Sequence, residues 1–234
     1  MRVDLALVTA LCQSIFDPDL SIAATDPAAP TEPWLAAEAL AVARAIPARK
    51  AEFQAGRRAA RHAMAAMGVA GRAIPMAPDR APVWPGGITG SISHTDAACV
   101  AVVGRKDVWA SIGVDLEADS GLDATLIAQV CTPAERAWLD TQAPRDRPVM
   151  AKLIFSAKEA SYKAQYPLGG GLFGFDALSV RVDRDATRFV AQFQSDQGSF
   201  AAGDTLEGQF AHAAGILVTG VALRHSGTAR EREE

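Results

Sequence analysis

A chain of 234 residues, 49% of them hydrophobic, can bury a core as one large domain or two small ones, and its net charge of -4 excludes a general binder of nucleic acid, which needs a basic surface. Its three cysteines, Cys12, Cys99 and Cys131, are an odd number without C-x-x-C spacing, which argues against a disulfide framework and a structural zinc site and points to a reducing cytoplasm. No apolar run reaches membrane-spanning length, so no membrane partner is expected.

In chain order, the apolar run at residues 5–11 is too short to span a bilayer, and Asp4 interrupts the positive flank of a secretory signal, so it reads as a buried strand. Residues 17–33 hold four prolines among small and acidic side chains and read as an irregular connection. From 47 to 67 the spacing of Phe53, Ala60, Met64 and Met67 predicts a helix with one apolar stripe, Pro47 near its start and Gly68 just past its end. Arg44, Arg49, Lys50, Arg57, Arg58 and Arg61 crowd into eighteen residues here, a density that suits either a small polyanion or a solvated helix face. A proline-rich loop at 73–87 leads into β-patterned runs at 89–93 and 97–103, separated by His94, Thr95 and Asp96.

The second half opens with a predicted strand at 111–117. A helical stretch follows, with Thr132 as N-cap and Pro133 at its first position, and then a longer helix over about 147–164, whose stripe is Met150, Leu153, Ile154 and Ala157. Pro167 and the glycines at 169, 170 and 171 close that helix. β-patterned segments come near 178–182, 189–194, 208–213 and 216–223, and residues 225–234 read as a polar, frayed tail. This order predicts an α+β fold of two pseudo-symmetric lobes, residues 1–111 and 112–224, each a small antiparallel sheet packed on a long helix, with the active site at the lobe interface. One chain then supplies a complete site, and a monomer is expected.

On the strand at 111–117, Asp115 and Glu117 emerge on one face while Leu116 points to the other and anchors the core. Such a pair is either two solvated charges or a seat for a hard, oxygen-liganded cation such as Mg²⁺. Glu159 is a third carboxylate, beside Lys158 and one helical turn before Lys163. A metal on Asp115, Glu117 and Glu159 would keep open positions for phosphate oxygens, and the two lysines imply an anionic ligand.

Two stretches, Gly113-Val114-Asp115-Leu116-Glu117 and Phe155-Ser156-Ala157-Lys158-Glu159-Ala160-Ser161-Tyr162-Lys163-Ala164, resemble the motifs of the Sfp-type 4'-phosphopantetheinyl transferases, close to the branch of enterobactin synthase component D. Weaker matches fall upstream in the same order: Lys50-Ala51-Glu52-Phe53 with Gly56-Arg57, Arg80-Ala81-Pro82-Val83-Trp84-Pro85, and Gly90-Ser91-Ile92-Ser93-His94. Together they run over about residues 49–175. The resemblance implies transfer of the 4'-phosphopantetheine arm from coenzyme A to a serine of an apo acyl or peptidyl carrier protein, with release of adenosine 3',5'-bisphosphate. It assigns Asp115, Glu117 and Glu159 to Mg²⁺, with Mn²⁺ as the alternative ion. Catalysis falls to Glu159, Lys163 and Asp115, the serine proton going to Glu159 or to a metal-activated water. Arg49, Arg57, Arg80, Pro82, Ser93, His94, Lys158 and Lys163 are assigned to coenzyme A. Arg61 and Lys50 are left as phosphate contacts or surface charges.

The three glycines lack the Lys-Ser or Lys-Thr of a phosphate loop and read as a helix exit. Leu168, Leu172, Phe173 and Phe175 around them suit a carrier dock or core packing equally, as do Trp138 and Leu139. The chain departs from the wider pattern in having Phe155 where many members have tryptophan, and in lacking a lysine at 169–171, which bears on carrier recognition. Two competing readings use the same residues: a Mg²⁺-dependent pyrophosphate hydrolase acting on coenzyme A or a nucleotide, and a non-catalytic binder of carrier proteins or coenzyme A.

Overall fold

The computed structural model describes residues 3–29, 32–69, 71–169 and 171–225. The first half contains α1 (Leu5–Ile15), β1 (Ser21–Thr25), α2 (Ala36–Ala39), α3 (Pro47–Ala66), β2 (Ile88–His94) and β3 (Cys99–Arg105). The second contains β4 (Trp109–Ala118), α4 (Ala124–Val130), α5 (Pro133–Asp140), α6 (Arg147–Gly169), β5 (Leu178–Asp183), β6 (Arg188–Phe193), β7 (Thr205–Ala213) and β8 (Ile216–Arg224). The strands form two antiparallel sheets, one of three strands in the order β1-β3-β2 and one of five in the order β4-β8-β7-β6-β5. A long helix lies on each, as an α+β chain of this element order requires.

Two N-terminal expectations are corrected. Residues 5–11 belong to helix α1, not to a strand. Its buried residues Val8, Cys12 and Ile15 are spaced four and three apart, and the Asp4 carboxylate caps the first turn by accepting from the Ala6 N–H. A short run that is apolar on all sides carries no period by which to tell strand from helix. The supposed irregular connection holds β1, which pairs with β3 from Ser21↔Val103 to Thr25↔Cys99. It is an edge strand, and Pro18 and Pro27 lie outside it, where they remove no ladder hydrogen bond.

Helix α3 buries Ala59, Ala60, Ala63 and Met64 against Ala101 and Val103 of the smaller sheet. Helix α1 packs under both sheets, with Val8, Cys12 and Ile15 clustered with Val100 and Val102 of β3, Ile112, Val114 and Leu116 of β4, and Val218 of β8. From Ser111 onward, past a register shift at its start, the even-numbered residues of β4 therefore face α1 and the odd-numbered ones face α6. All three cysteines are free and buried.

The α6–β4 packing has a simple arithmetic. Four residues of helix advance about 6.0 Å and two of strand about 6.6 Å, so fourth residues along α6 stay opposite alternate residues along β4. Ser111 donates to the Ala164 carbonyl, a Cβ on Gly113 would fall on the Ala160 carbonyl, Ser156 donates to Asp115, and Lys152 donates to Glu117. Gly113 is thus the point of closest approach, where a side chain would push the helix off the strand.

Strands β2 and β4 belong to different sheets yet touch. The Val114 N–H donates to Ser91 Oγ at 3.1 Å and the Leu116 N–H to Ser93 Oγ at 3.2 Å, so serine hydroxyls take the place of ladder carbonyls. The sheets meet along this seam. Among the described residues, no helix is long and apolar enough to cross a membrane.

Candidate active site

Asp115 sits on the seam, 4% exposed. Its Oδ1 accepts from Lys163 Nζ at 2.7 Å and from Ser93 Oγ at 2.9 Å, and its Oδ2 accepts from Ser156 Oγ at 2.8 Å. Lys163 also donates to Ser93 Oγ and to the Val114 carbonyl, both at 3.2 Å. Three donors from two elements, β2 and α6, therefore fix one carboxylate at the meeting line of the two sheets.

Glu117, two residues along the same face, accepts from Lys152 Nζ at 3.0 Å. Glu159 approaches from α6 and, among the described residues, receives no hydrogen bond to its carboxylate. Burial raises the pKa of Glu117 above its ordinary value; the neighbouring Asp115 adds to this and Lys152 opposes it. Burial likewise raises Glu159, with Lys163 opposing and Asp115 and Glu117 reinforcing.

The three carboxylates thus feel one another's charge. Among the described residues they do not close into a metal-holding group, because Asp115 and Glu117 are each turned onto an ammonium. The donor chemistry still fits a hard divalent cation: all-oxygen ligands, partly desolvated, mutually repelling, with Glu159 lacking a counter-ion of its own.

Beside Asp115 opens a cavity of about 850 Å³, lined from the smaller sheet and α3 by Arg49, Arg57, Ser93 and His94 and from α6 by Tyr162 and Lys163. Arg49 Nη1 donates to His94 Nε2 at 2.7 Å, and Arg49 also pairs with Glu52 at 3.2 Å. Accepting at Nε2 requires that ring nitrogen to be unprotonated. Burial lowers the His94 pKa from 6.5, and Arg49 and Lys163 push the same way against Glu52 and Asp115. Arg57 is 6% exposed, donates from Nε to the Ile74 carbonyl at 2.7 Å and lies 4.2 Å from the centre of the Phe53 ring. Burial pulls its guanidinium down to about 10, so it is still cationic at neutral pH.

Arg80 and Pro82 line the opposite wall on a tight loop, where Arg80 takes a left-handed φ of 74° and the Tyr166 hydroxyl donates to Asp79 at 2.7 Å. Trp84, Ile88 and Ile92 add apolar surface.

Lys158 is a correction. Its side chain is 1% exposed, and its ammonium donates to Glu135 at 2.8 Å, to the Val130 carbonyl at 2.8 Å and to the Phe175 carbonyl at 2.9 Å. All three protons of the ammonium are used, and it does not line the cavity. It ties α6 to α5 and to the turn before β5, on the side of the helix away from Asp115.

The residues left open between docking and packing divide. Leu139 is buried, and Trp138, Phe173 and Phe175 pack on the core of the larger sheet, whereas Leu172 is 76% and Leu168 39% exposed. Gly170 and residues 226–234 lie outside the described residues.

Sequence reasoning missed Ser156, Lys152 and Glu52. The first two carried a signal: residues 152, 156, 159 and 163 are spaced four, three and four apart, a polar stripe beside the apolar one of Met150, Leu153, Ile154 and Ala157. Glu52 carried only its i,i+3 spacing from Arg49, because His94 reaches it through the packing of α3 on the sheet.

Comparison with known proteins gives this geometry a family. The family model of the 4'-phosphopantetheinyl transferase N-terminal domain matches residues 37–104, and that of the 4'-phosphopantetheinyl transferase superfamily matches residues 111–214. The 4'-phosphopantetheinyl transferase Svp of Streptomyces mobaraensis is 39% identical over 204 residues, covering 84% of this chain and 82% of that protein. The 4'-phosphopantetheinyl transferase PptT of Mycobacterium tuberculosis is 33% identical over 233 residues, covering 95% and 100%. Enterobactin synthase component D of Salmonella typhi is 42% identical over a shorter 134 residues, 56% of this chain and 54% of its own. The matches run through both sheets and across the seam that holds Ser93, Asp115 and Lys163, and on them the chain belongs to the 4'-phosphopantetheinyl transferases.

Proposed function

We propose that the chain moves the 4'-phosphopantetheine arm of coenzyme A onto a serine hydroxyl of an apo acyl or peptidyl carrier protein, depends on Mg²⁺ or Mn²⁺, and releases adenosine 3',5'-bisphosphate. One observation carries this reading. Lys163 and Asp115 of the larger sheet and its helix share a cavity of about 850 Å³ with Arg49, Arg57, Ser93 and His94 of the smaller sheet and its helix. A pocket of this size suits a nucleotide-sized ligand, and its cations suit a chain of phosphates. On this reading residues 1–111 supply the phosphate and adenine contacts, and residues 112–224 supply the catalytic and metal-binding groups.

In the reaction the serine oxygen forms a bond to the phosphorus that carries pantetheine, and the bond from that phosphorus to the bridging oxygen of the adenosine bisphosphate breaks. Glu159 accepts the serine proton. Its raised pKa and lack of a hydrogen-bond donor support this role, since a general base works best with its pKa moved toward the working pH. Lys163 matches the negative charge that grows on the leaving phosphate. Arg49 and Arg57 offer guanidinium donors to phosphate oxygens, which compete with Glu52 for Arg49. Asp115, Glu117 and Glu159 would hold the divalent ion, which when bound supplies Lewis-acid polarisation of the pyrophosphate.

The test is a mass measurement. Incubation with coenzyme A, Mg²⁺ and an apo carrier protein should add about 340 Da to the carrier. Folded protein that modifies none of a panel of unrelated carriers sinks the reading, and release of adenosine 3',5'-bisphosphate without any carrier turns it toward hydrolysis.

A further inference from the structure

On the face of α6 that meets β4, Lys152 and Lys163 bracket Glu159. The Lys152 ammonium donates to Glu117 Oε2 at 3.0 Å, with its side chain 14% exposed and that of Glu117 23%. It also lies 5.6 Å from the centre of the Phe155 ring. Unlike Lys163, Lys152 does not line the cavity, so its charge is spent on Glu117 and not on a ligand there. Lys163 makes the corresponding pair with Asp115 at 2.7 Å. With every group ionised, three carboxylates face two ammonium groups, and one negative charge is left over.

That balance bears on how a divalent ion enters. Added alone, the ion reverses the sign of the cluster and comes close to two ammonium groups. Added with an anionic pyrophosphate, it leaves the cluster near its starting charge. Without Lys152 two negative charges would be left over, and the ion alone would be well matched.

We infer that Lys152 is a positioning residue that couples metal binding to coenzyme A binding: by neutralising Glu117 it keeps the affinity of the free site for a divalent cation low, so that the ion binds tightly only together with the pyrophosphate. This inference rests on the transferase reading and gives a role within it to Lys152, which also holds α6 to β4. The coupling is reciprocal, so Lys152 strengthens the effect of the ion on coenzyme A as much as the converse.

The experiment is Mn²⁺ binding followed by electron paramagnetic resonance, with and without coenzyme A, for the wild type, Lys152→Met and Lys152→Arg. Lys152→Met should bind Mn²⁺ alone about tenfold more tightly than the wild type, within the usual range of coupling between sites. Its enhancement by coenzyme A should shrink in proportion, and Lys152→Arg should behave as the wild type. If circular dichroism shows that Lys152→Met is unfolded, Lys152→Gln, which keeps a hydrogen-bond donor without the charge, should tighten Mn²⁺ binding in the same way. Equal or weaker Mn²⁺ binding by a folded neutral variant overturns the inference, as does an unchanged enhancement by coenzyme A. Wild-type protein that modifies carriers alongside such a result leaves the functional reading standing. Protein that neither modifies carriers nor binds Mn²⁺ removes both.

Discussion

Helix α6 carries two lysines five residues apart that finish in opposite environments. Lys163 faces β4, a quarter exposed, on Asp115, Ser93 and the cavity. Lys158 faces α5 and β5, buried, with all three of its protons given to Glu135, Val130 and Phe175. Five residues turn a helix by about 500°, which leaves the two side chains about 140° apart. One motif therefore serves two sites, a reactive one on the strand side and a structural one on the core side. A cluster of basic residues in a sequence does not by itself mark a single anion site.

The comparison breaks first on the reactive side. Glu159→Gln should lower kcat by about 10² to 10⁴, the range for loss of a general base, while the Kd for coenzyme A changes little. Initial rates of carrier modification beside calorimetric binding decide it. Equal losses in both would reduce Glu159 to its metal-holding role or to a folding role.

On the core side the loss should appear in stability. Lys158→Met leaves Glu135 buried with its charge unpaired and takes a donor from the Val130 and Phe175 carbonyls, so urea denaturation should show a cost of about 3–5 kcal/mol. The molecules that do fold should bind coenzyme A as the wild type does. A selective loss of coenzyme A affinity would return Lys158 to the cavity.

Between the two sides lies the α6–β4 contact, and Gly113→Ala tests it. The added methyl group meets the Ala160 carbonyl, so the helix must shift from the strand at a cost of about 1–3 kcal/mol. Asp115 and Glu117 ride on the same strand, so carrier modification should slow even where the protein is folded. Full activity in a destabilised variant would show that the site tolerates a change of helix position.

What was legible in the sequence follows from which signals are local. The strands of both sheets other than β1, and helices α3, α5 and α6, announced themselves by a period of two or 3.6, by Thr132 as a cap and by proline and glycine at their ends. Asp115, Glu117, Glu159 and Lys163 were legible because alternate strand residues and helical turns set their faces. Helix α1 was not, because a run apolar all round carries no period. The fate of Lys158 was not legible either: its acceptors come from residues 130, 135 and 175, and no spacing along one helix reports the depth at which a side chain ends.

The smallest effect belongs to the rim of the cavity, where His94 couples Arg49 and Glu52 to the reactive side. Its folded pKa is depressed below 6.5, chiefly by burial, so a proton binds more readily to the unfolded chain. For such a group, stability is fully present above the unfolded pKa and is lost as pH falls through 6.5 and on past the folded pKa. Protonation would also place a second cation against the Arg49 guanidinium, where Nε2 now accepts a hydrogen bond at 2.7 Å. Thermal melts of the wild type should therefore lose stability on acidification from pH 6.5 faster than those of His94→Gln, and the two curves should run parallel above pH 7. Curves parallel across the whole range would mean that His94 titrates alike in folded and unfolded chains, and that the Arg49 contact opens as freely as a solvated one.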